Sequence, residues 1–327
     1  VISGSSGSLV KQGSGTLTLS GTNTYTGTTT INLGAISVSV LANGGSNSGI
    51  GASTSVAGNL VLAGGTLKYT GTDVTINRSF TINAGTTGTI EVSSSTATLT
   101  ISGAAAATTG ALTKTGAGTL SLTGNNAYTG TTTISAGTLQ NGASGVINDN
   151  SAVQIANGAT WNLNNFNETV ASIANVSGNT TGAISLGSGT LTIGGSASTT
   201  FSGTISGSGS LVFAGSGTTT LAGSNTTTGA YTVNSGATFT ISDANGLGSG
   251  TLTNNGTVNV VSGLTSAVIQ GLSGTNASAV LNLTNLGGQA VEVTLGDNNQ
   301  STTYAGSISG SGSIIKKGSG SHYPVGY

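Results

Sequence analysis

One segment of 23 residues occurs twice in this chain almost unchanged. The first copy, at residues 9–31, reads LVKQGSGTLTLSGTNTYTGTTTI, and the second, at 112–134, reads LTKTGAGTLSLTGNNAYTGTTTI. A looser third copy spans 211–233, and a fourth begins at Ile314 and breaks off after Gly320. A chain that repeats itself folds as an array of stacked units, in which each unit buries its apolar face against its neighbours.

The copies start 103, 99 and 103 residues apart. This spacing predicts three long repeats (9–111, 112–210 and 211–313) and a truncated fourth. No linker composition separates the repeats, so we expect one continuous β-helix over residues 1–320. Residues 321–327 depart from the repeated pattern and are expected to form an irregular tail.

The composition favours strands. Charged residues make up 4% of the chain, aromatic residues 4%, and glycine fills 57 positions. Thr and Val favour strands, whereas Gly is unfavourable inside helices. The apolar residues that recur throughout, together with a net charge of only −1, argue against a disordered chain.

Short alternating runs of apolar and polar residues recur roughly every 8–12 residues, a spacing compatible with a sandwich, a barrel or a β-solenoid. The long repeat decides for the solenoid. We therefore predict an all-β fold, an elongated rod formed by a parallel β-helix. At about 20–25 residues per rung, where one rung is one circuit of the chain, the sequence provides roughly fourteen to sixteen rungs spaced by about 4.8 Å.

The repeated segment also predicts which residues face the core. Leucine and isoleucine positions are expected to point inward and stack on equivalent residues of the next rung. Gly15, Gly21, Gly27 and Gly34 are expected to adopt positive φ at corners. Three asparagines, Asn23, Asn126 and Asn225, are expected at turns, in left-handed geometry and hydrogen-bonded along the stack. The structural repeat positions are Gly15, Leu17, Leu19, Gly21, Asn23, Tyr25, Gly27, Ile31, Gly118, Leu120, Leu122, Gly124, Asn126, Tyr128, Gly130 and Ile134.

Candidate chemical groups are few. A glycosidase needs two carboxylates facing each other across about 5–10 Å, and of the seven in this chain only Glu292 and Asp297 are close in sequence. We expect the seven carboxylates to be isolated, solvated charges, and we predict no catalytic residues. Two aromatic residues, Trp161 and Tyr69, are interpreted as packing groups rather than sugar platforms. The lysines of the repeated segment are interpreted as solubilising charges on one face: Lys11, Lys114, Lys316 and Lys317.

No cofactor or metal is expected. The chain has no cysteine, and its only histidine, His322, lies in the predicted tail. The paired glycines Gly64–Gly65 and Gly287–Gly288 lack the aspartate of calcium-binding nonapeptides. The small net charge predicts no binding to nucleic acid or to anionic membranes. No run of about 18 apolar residues is present, so this segment is not expected to span a membrane. The chain begins with Val and is interpreted as a mature or excised fragment.

The core of the repeated segment, GSGTLTLSGxNxYTGxT, closely resembles the autotransporter-associated β-strand repeat found in passenger domains of Gram-negative autotransporters (type V secretion). The lead-in segments TTFSGTISGSGS, at 199–210, and STTYAGSISGSG, at 301–312, fit the same family. The resemblance implies a right-handed parallel β-helix at the bacterial cell surface, either associated with the outer membrane or released. It implies roles in adhesion, aggregation or surface display, and it provides no catalytic residues to carry over.

Three functions follow as hypotheses. The first is a surface structural or adhesive passenger rod without catalysis, whose partners are neighbouring copies or an unidentified host or bacterial receptor. The second is a subunit of an extracellular filament, because the two ends of the chain share one phase of the repeat and uncapped strand edges tend to pair. The third is a carbohydrate-active β-helix enzyme, which would need a groove with clustered acids and bases.

Overall fold

The computed structural model describes residues 1–296 and 298–324, with the backbone alone for 322–324. The chain divides into two compact units, Val1–Asn162 and Leu163–Tyr327. Regular structure among the described residues consists of short strands and one 3₁₀ turn, Ala57–Asn59. The short alternating runs of the sequence thus form strands, as their composition favours.

The first unit contains sixteen strands of two to six residues: β1 (Leu9–Lys11), β2 (Thr16–Leu19), β3 (Thr29–Ile31), β4 (Ala35–Val38), β5 (Leu60–Leu62), β6 (Thr66–Tyr69), β7 (Val74–Ile76), β8 (Thr81–Ile82), β9 (Thr87–Val92), β10 (Thr98–Ile101), β11 (Ala111–Thr115), β12 (Thr119–Leu122), β13 (Thr132–Ile134), β14 (Thr138–Asn141), β15 (Ala152–Ile155) and β16 (Thr160–Asn162).

The second unit contains the remaining strands: β17 (Glu168–Val170), β18 (Ser172–Asn175), β19 (Ala183–Ser185), β20 (Leu191–Ile193), β21 (Thr199–Phe201), β22 (Thr204–Gly207), β23 (Leu211–Phe213), β24 (Thr218–Leu221), β25 (Thr226–Thr227), β26 (Tyr231–Val233), β27 (Thr238–Ile241), β28 (Leu252–Asn254), β29 (Thr257–Val260), β30 (Ser266–Ile269), β31 (Leu272–Ser273), β32 (Val280–Asn282), β33 (Glu292–Leu295), β34 (Thr302–Tyr304), β35 (Ser307–Ser309), β36 (Ser313–Lys316) and β37 (His322–Pro324).

Within the first unit the strands form three parallel ladders. Their orders are β1-β3-β5-β8, β2-β4-β6-β9-β11-β13-β15 and β7-β10-β12-β14-β16. Equivalent strands of the first and second copies lie in different ladders. Strand β11 pairs with β9, so it continues the ladder of β2, whereas β1 begins the ladder that ends at β8. Each strand of the second copy is therefore shifted by one ladder relative to its equivalent in the first copy.

Within the second unit the same parallel arrangement recurs. The two longest ladders are β17-β20-β23-β26-β28-β31 and β21-β24-β27-β29-β32-β35. Shorter ladders are β19-β22-β25, β30-β33-β36 and β34-β37. Strand β37 pairs His322 with Thr302, so residues 322–324 of the predicted irregular tail are a short strand. Residues 325–327 lie outside the described residues.

One rung takes about 20 residues where the repeated segment forms it. Leu9 pairs with Thr29, and Leu112 pairs with Thr132. The longest rung in the first unit joins Thr29 to Leu60, because residues 39–59 leave the ladders as a loop. The predicted rung length is therefore met by most rungs and exceeded where a loop is inserted.

Alternate residues of each strand point into the core. In the ladder of β10, β12, β14 and β16, the buried residues Leu99, Leu120, Leu139 and Trp161 are in register, each stacked on the next. The outward residues between them are polar. Each Å² of apolar surface that is buried contributes about 25 cal/mol, so this stacking, repeated in every rung, is the main stabilising contribution to the fold.

The predicted all-β parallel solenoid is confirmed in each unit. The single continuous coil over 1–320 and its three long repeats remain a prediction. Among the described residues, no helix is long and apolar enough to cross a membrane.

Candidate functional site

The asparagine of the repeated segment joins three successive rungs. In the second copy, Asn126 accepts a hydrogen bond from the Ala105 amide at 2.7 Å and donates to the carbonyl oxygens of Val146 at 2.8 Å and Gly124 at 2.9 Å. The side chain is fully buried. Buried backbone groups need partners, and this amide supplies both a donor and an acceptor at a corner where the ladder is interrupted.

The other two copies repeat this arrangement. Asn23 accepts from the Ile2 amide and donates to the Gly49 carbonyl, and Asn225 accepts from the Ile205 amide. The predicted hydrogen bonding along the stack is therefore confirmed. The predicted left-handed geometry is wrong for all three, since the described non-glycine residues with positive φ are Asn164, Asn165 and Asn299.

The glycines of the repeated segment serve two different purposes. Gly34 has a φ of 67°, as predicted, but Gly15, Gly21 and Gly27 do not adopt positive φ. At Gly27 an added Cβ would overlap the Gly7 carbonyl oxygen, so glycine is required there for the close approach of two rungs.

In the second copy, none of the predicted glycines has positive φ, and all three lie close to the backbone of the neighbouring rung. A Cβ at Gly130 would overlap the Gly110 carbonyl oxygen, and at Gly118 it would overlap that of Ser94. At Gly124 the nearest backbone atoms are those of Ala104 and Gly103, at 2.9 Å. Gly15 and Gly21 have open space or only loose contacts around them, so nothing in the packing requires glycine at these two positions.

A buried tyrosine–threonine hydrogen bond closes the corner before the third strand of each copy. Tyr25 Oη lies 2.7 Å from Thr29 Oγ1, and Tyr128 Oη lies 2.7 Å from Thr132 Oγ1. Burial raises the pKa of Tyr25, although the hydrogen bond to Thr29 and the charge of Arg78 oppose this. In the third copy the two residue types exchange places, because Thr227 Oγ1 bonds Tyr231 Oη. Burial raises the pKa of Tyr231 to about 12.

The lysines of the first two copies point into the solenoid, so their interpretation as solubilising charges is wrong. Lys114 Nζ donates to the carbonyl oxygens of Thr115, Gly116 and Ala136 at 2.8, 2.8 and 3.0 Å. Lys11 Nζ makes the equivalent three bonds. Three converging carbonyls provide the partners that a buried ammonium needs. Burial lowers the pKa of Lys114 to about 8, against the attraction of Glu91.

The fourth copy keeps the lysine interaction at the surface. Lys316 donates to the carbonyl oxygens of Lys317 and Gly318 and is exposed, as is Lys317. The third copy has no lysine at this position. Phe213 occupies the equivalent place and stacks on Phe239, with the ring centroids 4.5 Å apart.

Arg78 is a buried structural residue that the sequence did not reveal. Its guanidinium donates to the carbonyl oxygens of Ala42 and Gly51 at 2.8 Å and of Ser53 at 3.1 Å. These bonds hold loop 39–59 against the ladders. Burial lowers the pKa of Arg78, with Tyr25 opposing. The one signal in the sequence was that this arginine is isolated in a chain where charge is scarce.

The predicted apolar positions lie largely as expected. Ile31, Leu120, Leu122 and Ile134 are fully buried. Leu17 and Leu19 are half-buried, because β2 begins its ladder and pairs with β4 alone. A further rung on that side would complete their burial.

The aromatic candidates are packing groups. Trp161 is fully buried and donates to Asn141 Oδ1 at 3.0 Å, and Tyr69 is buried with its hydroxyl bonded to the Thr72 carbonyl at 2.6 Å. Neither ring is available as a platform for a sugar.

The carboxylates are spread over the chain and have different interactions. Glu91 pairs with Lys68 at 2.8 Å. Burial would raise the pKa of Glu91, but hydrogen bonds from Lys68 and Ser93 and nearby lysine charge lower it. Asp73 accepts from the Thr98 amide. The expectation that all carboxylates are solvated is wrong for Glu168, which is 2% exposed.

Glu292 is exposed on β33, whereas Asp297, its proposed partner, lies outside the described residues. Over 1–296 and 298–324, no group of three His, Cys, Asp or Glu side chains is placed to hold a metal ion.

The outward surface of the ladder β7-β10-β12-β14-β16 carries two rows of uncharged polar side chains, which we call the threonine face. The first row holds a threonine in four successive strands: Thr98, Thr119, Thr138 and Thr160. The second row holds hydroxyl and amide groups, of which the serine is buried: Thr75, Thr100, Ser121, Gln140 and Asn162. At one end of this face a shallow groove of about 410 Å³ is lined by Asp73, Val74, Thr75, Thr98 and Thr100.

A second hollow, of about 290 Å³, lies beside the corner of Asn126. It is lined by Asn125, Gly145, Ile147, Asn148, Asp149 and Asn150. Its one carboxylate offers too few charged oxygens for a calcium ion, which takes six to eight oxygen ligands.

Comparison with known proteins agrees with this arrangement. The passenger-associated-transport-repeat family matches residues 9–38, 112–140 and 211–241, which contain the first three copies of the repeated segment. The chain is 40% identical over 191 residues to the adhesin BmaC autotransporter of Brucella suis biovar 1 (strain 1330). That alignment covers 58% of this chain and 5% of the relative. No solved structure matches the chain. The resemblance to autotransporter passenger repeats is thus confirmed.

Proposed function

We propose that this chain, which carries the repeats of autotransporter passengers, is a segment of a bacterial surface passenger with an adhesive or structural role and without catalysis. The observation that supports this most strongly is the coincidence of the three family matches with the corners that hold the solenoid together. The repeat is a scaffold motif, because its asparagine in the first three copies, and its lysine in the first two, form hydrogen bonds between rungs. Function is then left to the outward faces.

The location that fits this role is the cell surface or the extracellular medium. The chain is similar in sequence to an adhesin autotransporter, and the fold described in each unit exposes long polar sheet faces. The chain spans 5% of the length of that relative, so the role proposed is that of a segment and not of the whole protein.

A non-enzymatic role is supported by the use of the ionisable groups. Lys11, Lys114 and Arg78 are buried and bonded to backbone carbonyls, and Lys68 is paired with Glu91. A catalytic acid or base must reach a substrate, and these groups are directed elsewhere. Association with neighbouring copies, as the sequence suggested, stays a prediction.

The test is an adhesion assay with the purified chain. Beads coated with the chain, and cells displaying it on an unrelated outer-membrane anchor, are expected to bind to bacterial or host surfaces above beads and cells carrying an unrelated β-solenoid. Absence of any binding on every surface tested, together with turnover of a polysaccharide, would reject the proposal in favour of the enzyme.

A further inference from the structure

We propose that the threonine face binds a neutral, extended polysaccharide chain lying along the ladder. The inference rests on the proposed adhesive function and names its ligand class. It starts from the register of the strands: Thr98, Thr119 and Thr138 are consecutive Cα partners, and Thr160 continues the row. One rung advances by about 4.8 Å, so the hydroxyls form a row with that repeat.

The second row makes the face two-dimensional. Thr100 is in register with Thr75 and Ser121, and Gln140 with Asn162. The two rows lie two residues apart along the strands, which is about 6.6 Å. A sugar chain with equatorial linkages is a flat ribbon that advances by nearly the same distance per sugar as one rung. Its hydroxyls would therefore meet a threonine of the first row at every rung from β10 to β16.

The chemistry of the face suits sugars in another way. Each threonine offers a hydroxyl that donates and accepts and a methyl group that can contact the C–H surface of a pyranose ring. The first-row threonines are half-buried, so their side chains are held by neighbours and lose little freedom on binding. The groove of about 410 Å³ at the β7 end provides a recess in which the chain end can settle beside Asp73.

Charge decides between neutral and anionic glycans. The chain has six Lys and Arg residues in all. Three are buried, Lys68 is paired with Glu91 on another ladder, and Lys316 and Lys317 belong to the other unit. None belongs to the threonine face, and Asp73 stands at its end. A sulfated or uronic polymer would find no cation there and one like charge, so a neutral polymer fits.

The ladder of β6, β9, β11 and β13 provides an internal control. It also carries a threonine row, Thr66, Thr89, Thr113 and Thr133, but the ion pair of Lys68 and Glu91 lies beside that row. None of its residues lines either of the two hollows described above. A pair of threonines from this row can thus be changed in the same way without touching the threonine face.

The experiment measures binding of the purified chain to cellohexaose, with cellobiose and heparin as comparators. Cellohexaose is expected to bind, cellobiose at least tenfold more weakly because it spans fewer rungs, and heparin not at all. The double variant Thr119→Val/Thr138→Val removes two hydroxyls at nearly constant shape and is expected to weaken binding at least fivefold. The matched variant Thr113→Val/Thr133→Val is expected to stay within twofold. Circular dichroism and the thermal midpoint check that both variants fold.

Several outcomes would overturn the inference: no binding of cellohexaose, equal loss in the two double variants, or a preference for heparin. The same proteins enter the bead adhesion assay so that the two proposals can fail separately. Wild-type adhesion without cellohexaose binding rejects the ligand class and leaves the adhesive role standing. Absence of both rejects the adhesive role.

Discussion

Replacing Asn126 by alanine removes a side chain that joins three successive rungs. The Ala105 amide would lose its acceptor, 2.7 Å away, and the Gly124 carbonyl would lose a donor. The Val146 carbonyl keeps one bond, from the backbone amide of residue 126 at 3.2 Å. A buried amide left without a partner costs about 1–3 kcal/mol, and each lost bond to a carbonyl about 1 kcal/mol. We expect the free energy of unfolding to fall by about 3 kcal/mol.

The control is the adjacent residue. Asn125 is exposed, so Asn125→Ala is expected to change the stability by less than about 0.5 kcal/mol. Urea unfolding followed by circular dichroism gives the free-energy difference. Hydrogen exchange gives the location, since the amide of Ala105 should exchange faster in Asn126→Ala and at the wild-type rate in Asn125→Ala.

The variant Asn126→Asp sharpens the test. A carboxylate can still accept from Ala105 but cannot donate to Val146 or Gly124. Burial beside carbonyl oxygens raises the folded-state pKa of such an acid above its unfolded value of about 3.9. The unfolded state then loses its proton first, so the variant should lose stability as the pH rises from about 4 towards 7.

A loss below about 1 kcal/mol for Asn126→Ala, or equal effects at residues 125 and 126, would refute the bridging role.

Three further predictions concern the other corner residues. The folded-state pKa of Lys114 is about 8 and the unfolded value is about 10.4, so between these pH values the unfolded state binds more protons than the folded state. The free energy of unfolding of the wild type, measured by urea titration, should therefore rise by about 2 kcal/mol between about pH 7.5 and about 9.5. The variant Lys114→Met should lack this rise. Tyr128→Thr and Thr132→Tyr should each cost at least about 2 kcal/mol, and the double variant, which copies the exchange seen in the third repeat, should recover half or more of the summed loss in a double-mutant cycle. Gly130→Ala places a Cβ on a carbonyl oxygen of the neighbouring rung and should lower the thermal midpoint by several degrees, whereas Gly15→Ala, with open space around it, should leave the midpoint within about one degree.

The sequence predicted the fold class because a repeat constrains stacking directly. Identical residues at a constant spacing can stack on one another only if successive rungs lie in register. The inward direction of the isoleucines and leucines follows from the alternation of side chains along a strand. The role of asparagine was also within reach, since its side chain offers both a donor and an acceptor.

The buried lysines could not be predicted in the same way. Residue chemistry places lysine outside, and only the folded corner shows three carbonyl oxygens converging on Lys114 Nζ, one of them 22 residues away in sequence. Arg78 is a similar case, because its acceptors belong to loop 39–59, whose path depends on the whole rung. The predicted reason for glycine, a positive φ, holds at Gly34 but not at Gly27, where the close packing of two rungs excludes a side chain.

The third copy of the repeat shows what the motif preserves. Its lysine is replaced by Phe213, which fills the corner by stacking on Phe239, and its tyrosine and threonine exchange places while keeping their bond. Among the lysine, tyrosine, threonine and asparagine of the motif, only the asparagine retains both its identity and its partners in the rungs before and after. Apolar filling can replace a bonded lysine, because a phenylalanine brings no polar group that needs a partner. An amide and a carbonyl that both need partners at one point can be satisfied by very few side chains. The repeat is therefore expected to tolerate change at its lysine and tyrosine positions and to resist change at its asparagine, which makes Asn126 and not Lys114 the decisive site for testing how the rungs are held together.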